Sequence, residues 1–127
     1  MTKPLAIIIE DDPDLSEIFS VSLRSGGFDT ELIRDGQVAL DRLKGIPPAI
    51  IVLDLHLPHV DGATILNQIH QDERFSKTAV IVSTADAQLA DGLRSKADLV
   101  LLKPVGVDQL RELAKRMLLR WNPEKPA

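Results

Sequence analysis

The sequence predicts an α/β fold, a doubly wound five-stranded parallel sheet of (βα)5 order with helices on both faces. Two observations predict it. Four short runs, Leu5–Ile9, Ala49–Leu53, Ala79–Val82 and Leu99–Leu102, are apolar at nearly every position and rich in Ile and Val, the pattern of strands buried on both faces. Between them lie segments with helical spacing, so strand and helix signals alternate along the chain. A length of 127 residues suits one domain with a single closed core.

The elements follow in order. After the first strand, Asp12-Pro13 reads as an N-cap followed by proline at the first helical position. Leu15, Ile18, Phe19 and Ser22 then share one helical face, and Gly26-Gly27 stops the helix. Asp14 and Glu17 are acids of the first turns, where negative charge is favoured. Phe28–Arg34 carries Glu31 and Arg34 and reads as an edge strand. Ala39, Leu40 and Leu43 mark a short second helix that Pro47-Pro48 forbids from continuing. Gly62, Ile65, Leu66 and Ile69 give the i, i+3, i+4, i+7 pattern of a third helix. A fourth, about Ala87 to Leu93, is short and weakly patterned. In the fifth, Val107, Leu110, Ala114, Met117 and Leu118 form a stripe facing a core. The domain is expected over residues 1–121, with Trp121 packing at the end of the last helix. Residues 122–127, with two prolines and no apolar pattern, are expected to be a flexible tail or a truncated linker.

Composition excludes several classes of function. There is no cysteine, so disulfides, cysteine nucleophiles and thiolate metal sites are ruled out. The first apolar run is too short for a signal peptide or a membrane span, and a cytoplasmic location without membrane contact is expected. With 15 Lys and Arg against 19 Asp and Glu, the net charge is −4. Such a chain is a poor non-specific nucleic-acid binder, because phosphate contacts supply most of that affinity; partners are therefore expected to exclude direct nucleic acid.

In an open parallel α/β sheet, ligands bind beyond the carboxyl ends of the strands. The first apolar run ends in Glu10-Asp11-Asp12, the third in Asp54, the fourth in Ser83-Thr84 and the fifth in Lys103-Pro104. Carboxylates, a hydroxyl and an ammonium thus converge on one edge of one sheet. Two carboxylates about 5 Å apart repel by roughly 3 kcal/mol at an effective dielectric near 20. Keeping several ionised calls for a cation, and oxygen ligands suit Mg²⁺. With Lys103 as a mobile positive charge and Thr84 as a hydrogen-bond donor, the set matches what a phosphoryl group in transfer requires. No Gly-rich nucleotide loop is present, so the acceptor is expected to be the protein itself. Asp54 is the natural nucleophile, since aspartyl-phosphate is a known type of covalent intermediate.

These residues, Ile-Ile-Ile-Glu10-Asp11-Asp12, Val-Leu-Asp54-Leu-His-Leu-Pro58, Ser-Thr84-Ala85 and Leu-Leu-Lys103-Pro104, resemble the receiver domain of two-component response regulators, a flavodoxin-like fold. The resemblance spans residues 5 to about 120. It implies that Asp54 accepts a phosphoryl group from a phosphohistidine of a sensor histidine kinase or histidine phosphotransfer protein, and that phosphorylation switches binding of a downstream protein target, with a homodimer possible. It further implies Mg²⁺ bound by Asp11 directly, by Glu10 through water, by Asp54, and by the backbone carbonyl of His56. Thr84 would hydrogen-bond the phosphoryl group and swing inward, Lys103 would form a salt bridge to it, and the Lys103–Pro104 bond would be cis. Such a domain is a binding module, not an enzyme acting on an external metabolite; it catalyses only its own phosphorylation and dephosphorylation.

The sequence departs from the family pattern in one region. Val100 stands where a switching aromatic is common, Lys96-Ala97 replaces the common Gly-Ala, Val105 replaces a common Phe, and the stretch from Thr84 to Lys103 is short. The usual threonine–aromatic coupling therefore cannot operate as such. His56 and His59 invite a zinc reading, but zinc needs three or four ligands on a fixed frame, and two exposed loop residues are expected instead, with His56 and Asp86 flanking the phosphorylation site. His70 is read as surface. Arg111, Lys115, Arg116 and Arg120 give the last helix a basic side, interleaved with Asp108 and Glu112; a Glu112–Arg116 pair on a solvated face is expected. Two alternatives stay open: a degenerate receiver that binds partners without phosphorylation, and a Mg²⁺-dependent aspartyl-phosphate phosphatase, although the latter usually has a carboxylate where His56 stands. No output domain follows within the 127 residues, so a stand-alone regulator is expected.

Overall fold

A computed structural model describes residues 3–120, the side chains of Leu118 and Arg120 excepted. The expected packing of Trp121 and Leu118 and the expected 122–127 tail lie outside the described residues. The element order is β1 (Leu5–Ile9), α1 (Pro13–Ser25), β2 (Asp29–Ile33), α2 (Gly36–Arg42), β3 (Ile50–Asp54), α3 (Gly62–Gln71), β4 (Ala79–Thr84), α4 (Ala87–Leu93), β5 (Leu99–Leu102) and α5 (Val107–Arg120). The strands form one parallel sheet in the order β2-β1-β3-β4-β5. The order in which strands are added reverses between β1 and β3, and that switch point opens a crevice at the carboxyl ends of the two central strands.

Strand side chains alternate between faces, and two cores result. Ile8, Val52, Ile81 and Leu101 pack with Phe19 and Leu23 of α1 and Leu110 and Ala114 of α5. Ile9, Leu53 and Val82 pack on the other face with Ala39, Ile65, Leu66, Ile69 and Leu93, from α2, α3 and α4. The sheet is therefore doubly wound, as expected.

Three expectations of packing need correction. Leu99–Leu102 is the second edge strand rather than one buried on both faces: Leu102 is exposed, because only β4 flanks β5. Ile18 does not belong to the buried face of α1. That face is built largely of serines: Ser16, Ser20 and Ser22 are buried with Phe19 and Leu23, and Ser20 shares a 2.7 Å hydroxyl–hydroxyl bond with Thr30 of β2. Small hydroxyls let the helix lie close to the sheet, so an apolar count alone rotates the helix wrongly. Val107 is exposed at the start of α5, before the stripe through Leu110 and Ala114 meets the core. On that helix Glu112 pairs with Lys115 at 3.8 Å and not with Arg116, and Arg111 pairs with Asp108 at 2.7 Å.

Candidate functional site

Register places the site. Ile9 is level with Leu53, Leu53 with Val82, Asp54 with Ser83, and Ser83 with Leu101. Glu10, Asp54 and Ser83 thus form one row across β1, β3 and β4, on the same face as Ile8, Val52 and Ile81. Lys103 rises two residues beyond Leu101 and reaches back over the row. Its Nζ donates to Glu10 Oε1 at 2.7 Å and lies 3.4 Å from Asp54 Oδ1. The carboxylates are almost sealed, with side chains 1% and 4% exposed for Glu10 and Asp54, while Lys103 keeps 22%.

Sealing two acids behind one ammonium shifts the titration of Glu10 and of Lys103. Burial pushes the Glu10 carboxyl up from 4.5 to about 7; the hydrogen bond from Lys103 opposes this, and the neighbouring Asp54 reinforces it. Burial also pulls Lys103 down, but the hydrogen bond to Glu10 and the charges of Asp54 and Glu10 outweigh it and hold the ammonium above its ordinary 10.5.

The β3–α3 loop holds Asp54 from the other side. The His56 backbone N–H donates to Asp54 Oδ1 at 3.2 Å, while the His56 side chain is exposed. Gly62 opens α3 and donates to Leu55 O at 3.0 Å; a Cβ there would sit 2.3 Å from Asp54 O and 2.5 Å from Leu55 Cα. Only glycine permits so close an approach. His59 has a positive φ of 70° and its Nδ1 pairs with the Asp35 carboxylate. Asp35 also caps α2 through Gln37 and Val38, and the His59 hydrogen bond, with the capping N–H groups, holds its carboxyl below the ordinary 3.8. Sequence reasoning missed this pair, which lies 24 residues apart in the chain.

Glu10, Asp11 and Asp54 come together, each offering an oxygen within 4.8 Å of the others, and Lys103 joins them. Thr84 is fully buried at the end of β4, and its Oγ1 accepts from the Asp86 N–H at 3.1 Å. Asp12 faces away from this cluster in role: its carboxylate caps α1, accepting from Asp14 and Leu15 N–H at 2.9 and 3.2 Å. The Lys103–Pro104 peptide is cis, as expected. The Ser83 hydroxyl is buried in the row without a hydrogen-bond partner; the alternation of β4 is the sequence signal that places it there.

The donor set fits Mg²⁺. At Mg–O distances of 2.0–2.1 Å, opposed ligands stand about 4.2 Å apart, close to the 4.8 Å limit of this cluster. Asp11 is exposed and Glu10 buried, so the cluster opens to water on one side, which suits an ion that keeps several waters.

The model of the response regulator receiver domain matches residues 6–115. The chain belongs to this family. Two similar curated proteins are the DNA-binding dual master transcriptional regulator RpaA of Synechocystis and the DNA-binding response regulator MtrA of Mycolicibacterium smegmatis. They are 35% and 34% identical over 94% and 95% of this chain, but over only 51% and 53% of their own lengths. This receiver domain therefore spans about half the length of the curated relatives it matches. A similar solved structure is the receiver domain of a sensor histidine kinase from Pseudomonas aeruginosa, with a magnesium ion in its active-site cleft; it is 25% identical, covers 92% of this chain and 98% of that one, and has a TM-score of 0.80.

These relatives correct the expected partner set. Both named regulators are DNA-binding, so the expectation of no nucleic-acid partner, drawn from net charge, does not stand. The net charge of −4 describes these 127 residues alone. Among the described residues no helix is long and apolar enough to cross a membrane.

Proposed function

We propose that this receiver accepts a phosphoryl group on Asp54 from the phosphohistidine of a histidine kinase or phosphotransfer protein, with Mg²⁺ at Glu10, Asp11 and Asp54. The observation that carries this reading is the sealed row of Glu10 and Asp54 bridged by Lys103. Asp54 Oδ1 is held by the His56 N–H and the Lys103 ammonium, which leaves Oδ2 to attack phosphorus in line. The new O–P bond forms as the P–N bond breaks, and the imidazole nitrogen leaves with the bonding pair. Mg²⁺, when bound, supplies charge neutralisation for the carboxylates and for the phosphoryl oxygens. The His56 carbonyl adds a neutral oxygen ligand to that set. Lys103 moves its charge from the carboxylates to the phosphoryl group, and the Thr84 hydroxyl, whose oxygen accepts from the Asp86 N–H, donates its own proton to a phosphoryl oxygen. The same atoms hold the group until water releases it, so the chemistry is confined to the protein's own phosphorylation and dephosphorylation.

Charge placed on Asp54 acts as a switch by favouring one of two packings of the loops around Thr84 and Lys103. In relatives of about twice this length, named as DNA-binding regulators, a receiver is joined to further chain; we read the present domain as the phosphorylation-controlled part of such signalling, in the cytoplasm. Intact-protein mass spectrometry after incubation with Mg²⁺ and a small acyl phosphate tests this. One phosphoryl adduct that disappears with EDTA and in Asp54→Asn is expected. An adduct that survives in Asp54→Asn overturns the assignment.

A further inference from the structure

Ser83 is the one polar member of the row that the chemistry above does not use. Its side chain is 1% exposed and its Oγ has no hydrogen-bond partner, although buried hydroxyls are almost always paired. It is level with Asp54 on the neighbouring strand, and with Leu101 on the strand from which Lys103 rises. Parallel register sets these side chains on one face, with strands about 4.8 Å apart. Lys103 starts beyond β5 and ends at Asp54 on β3 and Glu10 on β1. Its stem therefore passes over β4 on the face that carries Ser83.

An ammonium offers three N–H donors. Glu10 Oε1 and Asp54 Oδ1 take two. A divalent cation bound to those carboxylates repels the ammonium and claims the same oxygens. The ammonium then retreats along its own stem, toward β5, and the row offers one uncommitted acceptor on that path.

We infer that Ser83 Oγ is the parking acceptor for Lys103: when a divalent cation occupies Glu10, Asp11 and Asp54, the Lys103 ammonium moves off Glu10 and donates to the Ser83 hydroxyl. Ser83 is thus a positioning residue, holding the charge within reach of the incoming phosphoryl group. The unpaired hydroxyl of the metal-free state is satisfied only once the cation arrives, so it couples cation binding to lysine placement. This rests on the Mg²⁺ reading of the carboxylate cluster given above.

The test is calorimetric titration of the full chain with Mg²⁺, for wild type, Ser83→Ala, Ser83→Thr, Lys103→Met and the Ser83→Ala/Lys103→Met double variant, with metal-free Tm measured alongside. Ser83→Ala is expected to weaken Mg²⁺ binding about tenfold, the effect of a hydrogen bond to a charged group. Ser83→Thr keeps the hydroxyl and stays within about twofold of wild type. With Lys103 replaced by Met, removing the hydroxyl has no effect. Metal-free Ser83→Ala melts no lower than wild type, because the hydroxyl it loses was unpaired. Equal Mg²⁺ affinity in wild type and Ser83→Ala overturns the inference, as does the same weakening in the Lys103→Met background or a lowered metal-free Tm. Absence of Mg²⁺ binding by wild type instead overturns the cluster reading itself.

Discussion

Replacing Glu10 with Gln separates the burial of this side chain from its charge. In the metal-free protein the carboxyl is raised from 4.5 to about 7. A group whose folded value exceeds its unfolded value contributes stability that is complete below 4.5 and is lost as pH rises through 7. Folded protein holds the proton longer, so the unfolded state binds fewer protons across that window and stability falls with pH. A difference of 7 minus 4.5 at about 1.4 kcal/mol per unit gives a loss of about 3 kcal/mol. Spread over 127 residues, that corresponds to roughly 10 °C in Tm. Gln keeps the shape and the acceptor for Lys103 Nζ but cannot ionise. Urea unfolding in EDTA, from about pH 4.5 to above pH 7, is therefore expected to show Glu10→Gln equal to wild type at the acid end and more stable by about 3 kcal/mol at the neutral end. Saturating Mg²⁺ narrows the gap, because it stabilises ionised Glu10 in wild type and finds one carboxylate fewer in the variant. A difference between the two proteins that stays constant with pH refutes the reasoning, since the proton then does not reside on Glu10.

Other substitutions test the supports of the site. Gly62→Ala drives a Cβ to 2.3 Å from Asp54 O; a loss of about 1–3 kcal/mol by urea unfolding and slowed phosphorylation of Asp54 by mass spectrometry are expected. Asp12→Ala removes the α1 cap and costs about 1 kcal/mol, while calorimetric Mg²⁺ affinity stays within about twofold, as befits a cap rather than a ligand. His59→Ala removes the first of the interactions that hold the Asp35 carboxyl low. Carbon-detected NMR titration then shows Asp35 moving up toward 3.8, and the stability this carboxylate adds above its unfolded value, which is lost as pH falls through the folded one, shrinks.

Much of the fold was legible because its signals are local. The buried strands announce themselves as Ile and Val runs, and Gly62, Ile65, Leu66 and Ile69 of α3 are all buried as their spacing predicts. The carboxylate cluster was legible because strand ends in a parallel sheet share one edge, so Glu10, Asp11, Asp54 and Lys103 converge without any need to know side-chain paths. What stayed hidden depends on non-local pairing. Arg74 donates to the carbonyls of Leu43, Lys44 and Gly45 about thirty residues away, and His59 finds Asp35; neither leaves a periodic trace. The exposure of Ile18 was hidden because serines form the packed face of α1. Ser83 escaped notice because its significance lies in register with Asp54, which only the paired sheet defines.

The central claim is that the Asp54 carboxylate is the phosphoryl acceptor of this receiver. Borohydride reduction of the freshly phosphorylated protein converts an aspartyl-phosphate to homoserine, and peptide sequencing by mass spectrometry locates it. Homoserine at position 54 alone, formed only when Mg²⁺ was present during phosphorylation, is the predicted result. Homoserine elsewhere, or a stable adduct that borohydride does not reduce, contradicts the account.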